Sequence, residues 1–203
     1  MSLSYSSTRH PCPCQDVKDV SQPAEQGKEP LICHELPTRP WEKIAVDVFD
    51  LNGTEFMVTV DYYSSFFEVD GLTSKTAEEA MKKLKAHLAR HGIPDQLVSD
   101  NGQPFFSAKF QEFANSYGFE HVTSSPAYPQ SNGKTENAVR TVKNLLAKAV
   151  KSEQDPYLVL LDWRNTPTET LNSSPLQRLV GRRTKTRLPT SNQLLKPKLP
   201  EKV

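Results

Sequence analysis

Apolar and polar residues alternate along 43–49 (KIAVDVF), with Ile44, Val46 and Val48 on one side and Ala45, Asp47 and Phe49 on the other. A period of two over this length predicts a β-strand. Asn52-Gly53 follows, a pair suited to a tight hairpin turn. It leads into a second strand, EFMVTVDYY, where Phe56, Val58 and Val60 alternate, and after Ser64-Ser65 into a third, FFEVDGL. At residue 75 the period changes. Ala77, Ala80, Met81, Leu84 and Leu88 trace a helical stripe over 75–91, with acids in its first turn and His91-Gly92 and Pro94 as its stop. Four elements come next: a strand at QLVSD ending on Asp100, a helix over 107–117 closed by Gly118, a strand at 119–123, and a helix from about Asn132 to Lys151. PYLVLLDWRN (156–165) predicts a further short helix, after which Pro167, Pro175 and Pro189 fragment the pattern.

Three strands in succession, followed by strands joined through helices, describe a mixed α/β sheet and not an all-parallel one. This is the element order of an RNase H-like fold, a mixed five-stranded sheet of three antiparallel strands and then helix-linked strands, flanked by helices. Residues 1–37 show no periodicity and are expected to be a disordered leader, 153–189 a helical extension of the 38–152 core, and 190–203 a disordered tail. His87 and His91 are expected at the surface. Asp50, Asp61 and Asp70 are assigned to turns and strand edges.

Composition narrows the partners more than the fold. The 203 residues hold one domain with flanking sequence, at ~150 residues per domain. No apolar run nears the ~18 residues of a membrane span, and the first residues lack the apolar segment of a secretory signal. Neither a membrane partner nor secretion is expected, and three cysteines fit a reducing compartment. Cys12-Pro-Cys14 leaves one residue where structural zinc sites leave two to four, so zinc is not expected despite the nearby His10, Cys33 and His34. The net charge of +1 hides an asymmetry. Residues 1–74 hold 5 Lys and Arg against 12 Asp and Glu, whereas eight basic residues and one acid lie from Arg178 onward. A polyanion partner and a merely solvated tail explain that equally well. The basic C-terminal residues also suit nuclear localisation.

The chemistry lies in three carboxylates. Asp47 interrupts an apolar strand face, where an unpaired charge is costly. Asp100 ends a strand just before Asn-Gly, and Glu136 opens the longest helix, with 35 residues between these two. The predicted sheet brings all three together. Such a group repels itself unless a cation neutralises it, and Mg²⁺ takes hard oxygen ligands of this kind in two-metal phosphoryl transfer. Each residue also has a plainer reading: Asp100 as an Asx-turn, Glu136 as one half of a surface pair with Arg140. At about 100° per residue, Arg140 and Lys143 lie within about 40° of Glu136, with Val139, Val142, Leu146 and Val150 to one side. In the functional reading they grip phosphates, and Lys134 in the preceding loop assists.

The segments PW-x₅-D (Trp41 to Asp47), VSDNG (Val98 to Gly102) and SPAYPQSNGKTEN (Ser125 to Asn137) resemble the catalytic core of retroviral and gypsy-class retrotransposon integrases. The family signature is Asp, Asp, then Glu after 35 intervening residues. The resemblance runs from about Lys28 to Pro197. It includes DPYLVLLDWRNTP and SSPLQRLVGRRTKTRLP, which are similar to the helical extension of gypsy-type elements. It implies that Asp47, Asp100 and Glu136 are catalytic and hold two Mg²⁺ or Mn²⁺ ions. It also implies nucleic-acid contacts from Arg140 and Lys143, and from Gln130, Asn132 and Lys134 in a loop that moves over the site. The implied reaction is DNA integration by 3′-end processing and strand transfer, with element ends and target DNA as partners and a homodimer as the assembly. Only PCPCQ stands where the family's His-His-Cys-Cys zinc domain ends, and too little follows Pro189 for its C-terminal β-barrel. The chain is therefore expected to lack both domains in intact form, as an element fragment or a host-retained derivative. The alternative function is a host-retained, catalytically silent module that binds nucleic acid or protein.

Overall fold

Asn52 and Gly53 hold φ of 54° and 76°, so both central residues of the first hairpin are left-handed, as its sequence predicts. The turn joins β1 (Lys43–Leu51) to β2 (Thr54–Asp61), and β3 (Phe67–Leu72) completes an antiparallel meander. This computed structural model describes residues 37–123, 133–169 and 171–197, all within one compact unit, His34–Val203. After the meander come α1 (Ala77–His91), β4 (Gln96–Ser99), α2 (Ala108–Tyr117), β5 (Glu120–Thr123), α3 (Gly133–Lys151), α4 (Pro156–Asn165), α5 (Pro175–Val180) and α6 (Asn192–Leu195). The sheet order is β3-β2-β1-β4-β5, with β4 and β5 parallel to β1. This is the mixed five-stranded, helix-flanked sheet expected from the element order.

The alternation in β1 sorts the helices onto the two faces. Ile44 and Val46 pack with Leu84, Leu88, Phe110 and Phe113 of α1 and α2. Phe49 and Val58 pack with Val142 and Leu146 of α3 and with Leu160 of α4. Asp47 shares the parity of Phe49 and therefore stands on the α3 face. Helix ends follow their sequences: Thr76 and Ser107 cap α1 and α2 with their side chains, and Gly118 ends α2 at φ 75°.

Several polar assignments differ from expectation because their partners are distant in sequence. His87 is not at the surface; it is fully buried, with Nδ1 2.9 Å from Thr59 Oγ1 and Nε2 2.5 Å from Asp70 Oδ2. His91 is also partnered, through Nε2 to Glu68 Oε1 at 2.8 Å and by a tilted ring contact with Trp41, centroids 4.4 Å apart. Asp61 ends β2 and opens the following turn, as assigned, but it is fully buried and accepts from the backbone N–H groups of Trp41, Tyr63 and Ser64 and from the Ser64 hydroxyl. The buried stripe of α3 is Ala138, Val142, Leu146 and Ala149, whereas Val150 is exposed. The expected disordered tail is ordered in part. Asn192–Leu195 form a helical turn, and the Arg183 N–H donates to Leu194 O at 2.8 Å. Residues 1–36 and 198–203 lie outside the described residues. Among the described residues no helix is long and apolar enough to cross a membrane.

Glu68 ties α4 and α1 to β3. Its carboxylate meets Arg164 at 2.9 Å, His91 at 2.8 Å and Arg90 at 3.2 Å. Burial favours the neutral carboxyl, but the His91 hydrogen bond and the charges of Arg164 and Arg90 outweigh it and hold the pKa at about 2. A depressed carboxylate pKa gives stability that is complete above 4.5 and lost as pH falls towards 2. Glu68→Gln is expected to cost about 2 kcal/mol at pH 7 and little near pH 2, by urea unfolding at each pH. Equal costs at both pH values would show that shape, not charge, holds these helices.

Candidate active site

Asp47 and Asp100 approach each other through strand register. The parallel ladder pairs Ile44 with Leu97 and Ala45 with Val98. Continued by two positions, it sets Asp47 beside Asp100 on the same face of the sheet. The nearby helix is α3, which packs on β1 and β2 and carries Glu136, exposed in its first turn. Strand alternation, the end of a short parallel strand and the start of a long amphipathic helix therefore position the three carboxylates.

Asp47 shows the electrostatic result. Burial raises its pKa first; the Val48 N–H, donating to Oδ1 at 2.7 Å, and Lys143 lower it, while the charges of Asp100 and Glu136 raise it. The balance is a carboxyl at about 6: burial and the two neighbouring acids together outweigh Lys143 and the Val48 hydrogen bond. Among the described residues no three His, Cys, Asp or Glu side chains stand close enough together to hold a metal ion, so the expected convergence of all three acids is not reached. The donor set nevertheless fits a divalent cation: hard oxygens of like charge, held by two strands and a helix, whose repulsion an ion would relieve.

The simpler reading of Asp100 is also true of one of its oxygens. The Gly102 N–H donates to Oδ1 at 3.1 Å, making the Asx-turn. Glycine at 102 keeps the carboxylate clear, since a Cβ there would lie 2.8 Å from Asp100 Oδ2. The surface-pair reading of Glu136 does not hold, because Arg140 Nη2 donates to Asn137 Oδ1 at 2.8 Å and forms no ion pair among the described residues. Arg140 is exposed on the edge next to Glu136. Lys143 lies over the Phe49 ring at 5.4 Å, which brings its charge near Asp47. Lys134, expected to reach nucleic acid, is instead half-buried, with its ammonium donating to the Tyr62 carbonyl. Gln130 and Asn132 lie outside the described residues. Sequence reasoning overlooked Tyr62 and Arg178, which support the same region. The one signal was an arginine inside the short, largely apolar run PLQRLV.

The order of strands is shared with solved structures, and the sequence has known relatives. Residues 37–129 match the model of a family described as the integrase core domain. That segment belongs to the integrase core family. Over 181 residues the chain is 36% identical to an uncharacterised protein of Caenorhabditis elegans, covering 84% of this chain and 14% of that protein. It is 31% identical over 172 residues to the Gag-Pol polyprotein of Walleye dermal sarcoma virus, covering 79% and 9% respectively. The chain thus spans a small part of the length of these curated relatives. In fold it is similar to the HTLV-2 integrase catalytic core domain, solved in complex with magnesium in a trimeric form. That likeness has a TM-score of 0.59 at 22% identity, and it covers 70% of this chain and 98% of that one. The match that defines the integrase core stops short of Glu136; Asp47 and Asp100 lie within it.

Proposed function

We propose that this integrase core is a metal-dependent polynucleotidyl transferase acting on DNA, with Asp47, Asp100 and Glu136 as its catalytic carboxylates. The observation that carries the reading is the parallel register of β1 and β4, which sets Asp47 beside Asp100, 53 positions apart in sequence, with Glu136 on the helix packed over β1. Divalent ions held by these oxygens would activate the attacking oxygen and stabilise the leaving one. Asp47 and Asp100 supply ligands from adjacent strands, and Glu136 supplies one from the helix packed on that face of the sheet. Arg140 and Lys143, on the same helix edge, grip phosphates of the DNA end and hold its reacting phosphodiester over the acids. Gln130 and Asn132 belong to the same DNA-contacting set.

In 3′-end processing a water oxygen bonds to phosphorus as the P–O3′ bond breaks, leaving a free 3′-hydroxyl. In strand transfer that hydroxyl attacks a target phosphodiester in line, and a second 3′-oxygen leaves. Neither step needs a covalent bond to the protein. The magnesium complex of the HTLV-2 core supports the choice of ion, and its trimeric form supports assembly from several copies. Chromosomal target DNA places this work in the nucleus.

The test is strand transfer on branched DNA with Mn²⁺ or Mg²⁺, comparing wild type with Glu136→Gln, and DNA binding by Arg140→Ala/Lys143→Ala. Activity is expected only with metal and only in wild type. The double variant is expected to bind DNA more weakly, with a salt slope smaller by about 2. Equal turnover by Glu136→Gln, or none by either protein, would overturn the catalytic reading.

A further inference from the structure

Two cations reach the same turn from opposite directions. The turn after β2 runs through Tyr62, Tyr63, Ser64 and Ser65, with Ser65 at φ 60° and Ser64 fully buried. From α5 in the helical extension, Arg178 Nε donates to the Ser64 carbonyl at 2.9 Å. The other arm of its guanidinium donates to Thr168 Oγ1 at 3.1 Å and to the Ser173 carbonyl. From α3, Lys134 donates to the Tyr62 carbonyl and lies 5.8 Å from the Tyr62 ring centre. Thr135, the next residue, is fully buried. Two main-chain carbonyls two residues apart thus anchor the extension and the first turn of α3.

Glu136 is the next residue along that helix. The first turn of any helix has unpaired N–H groups and few internal restraints, so it frays unless something outside holds it. Here the holding group is the ammonium of Lys134, beside the buried Thr135. Its anchor, the Tyr62–Ser64 turn, is itself fixed by Asp61 from within the core and by Arg178 from the extension.

We propose that the Tyr62–Ser64 turn is a brace through which the helical extension sets the position of Glu136, with Lys134 and Arg178 as positioning residues. The proposal rests on the reading of Glu136 as a metal ligand. It assigns Lys134 to the protein's own backbone and not to a phosphate, and it gives the extension a part in the site without any contact to substrate.

The test uses the full chain, with Mn²⁺ binding followed by the electron paramagnetic resonance of the free ion. Lys134→Met and Arg178→Gln are expected to weaken Mn²⁺ binding about tenfold, the scale at which groups behind metal ligands act. Lys134→Arg, which still reaches the Tyr62 carbonyl with a cation, is expected to bind as wild type does. Hydrogen exchange at residues 133–138 should quicken in the two weakened variants. If Arg178→Gln does not fold, Arg178→Lys keeps the charge and loses the fork, and it should weaken binding in the same direction. A lower metal-free melting temperature with unchanged Mn²⁺ affinity in both Lys134→Met and the Arg178 variant would show ordinary packing and overturn the brace. Asp47→Asn separates the two claims. If it binds Mn²⁺ like wild type, or wild type binds none, the metal-site reading falls and the brace with it. If Asp47→Asn alone loses the ion, only the brace falls.

Discussion

Asp47→Asn is expected to abolish the rise in melting temperature that Mn²⁺ gives the wild-type chain, while leaving the metal-free protein at least as stable as before. The two effects have opposite signs for one reason. Burial, together with the charges of Asp100 and Glu136, outweighs Lys143 and the Val48 hydrogen bond, so at neutral pH the Asp47 charge is a net liability when no cation is present. Asparagine has nearly the same shape and can still accept the Val48 N–H bond. It removes the repulsion and also removes the charge that attracts the ion. At a metal concentration about 100 times its dissociation constant, binding stabilises the wild-type fold by about 2.7 kcal/mol, and the variant should gain almost none of this. Thermal unfolding with and without Mn²⁺ measures both halves. A variant that is less stable without metal and still responds to it would mean that Asp47 serves the fold and not an ion.

Asp61→Ala is expected to have the largest effect on folding, about 3–5 kcal/mol by urea unfolding. Its carboxylate is fully buried and accepts from Trp41 N at 3.0 Å, Ser64 N at 3.0 Å and Tyr63 N at 3.3 Å, besides the Ser64 hydroxyl. Deleting it strands three backbone donors, each costing about 1–3 kcal/mol when left unpaired, with some relief as water enters. It also frees Trp41, whose φ of 61° is unusual for a bulky residue and which reaches across to Gly92 O through Nε1 at 2.9 Å. Asp61→Asn keeps an acceptor oxygen and should cost less than half as much. A cost below about 1 kcal/mol for the alanine variant would mean that water replaces the carboxylate at this site.

Much of this was legible along the chain because it is local. The alternation of KIAVDVF placed Asp47 on the face that later meets α3, and Asn52-Gly53 fixed the first hairpin. The angular kinship of Glu136, Arg140 and Lys143 needed only the helical period. What escaped shares one physical cause. His87, Asp61 and Lys134 look like surface residues because each is polar, and each is sheltered by a partner far away: Thr59 and Asp70, Trp41, and Tyr62. Periodicity reports which face a residue occupies but not whether a distant carbonyl or carboxylate waits there. The stripe of α3 also erred. Small Ala138 and Ala149 complete the buried stripe, whereas Val150 is exposed.

The parallel pairing of β1 with β4 also dictates an order of assembly. The meander closes through short turns between neighbours, whereas β4 reaches β1 only after α1 has carried the chain across the sheet. Asp47 leaves the ribosome long before Asp100, and Glu136 comes later still. While the chain is being made, no stretch of it holds two of these acids close together, so a divalent ion gains no chelate until the sheet is nearly complete. The cation can reward a finished fold but cannot trap an unfinished one.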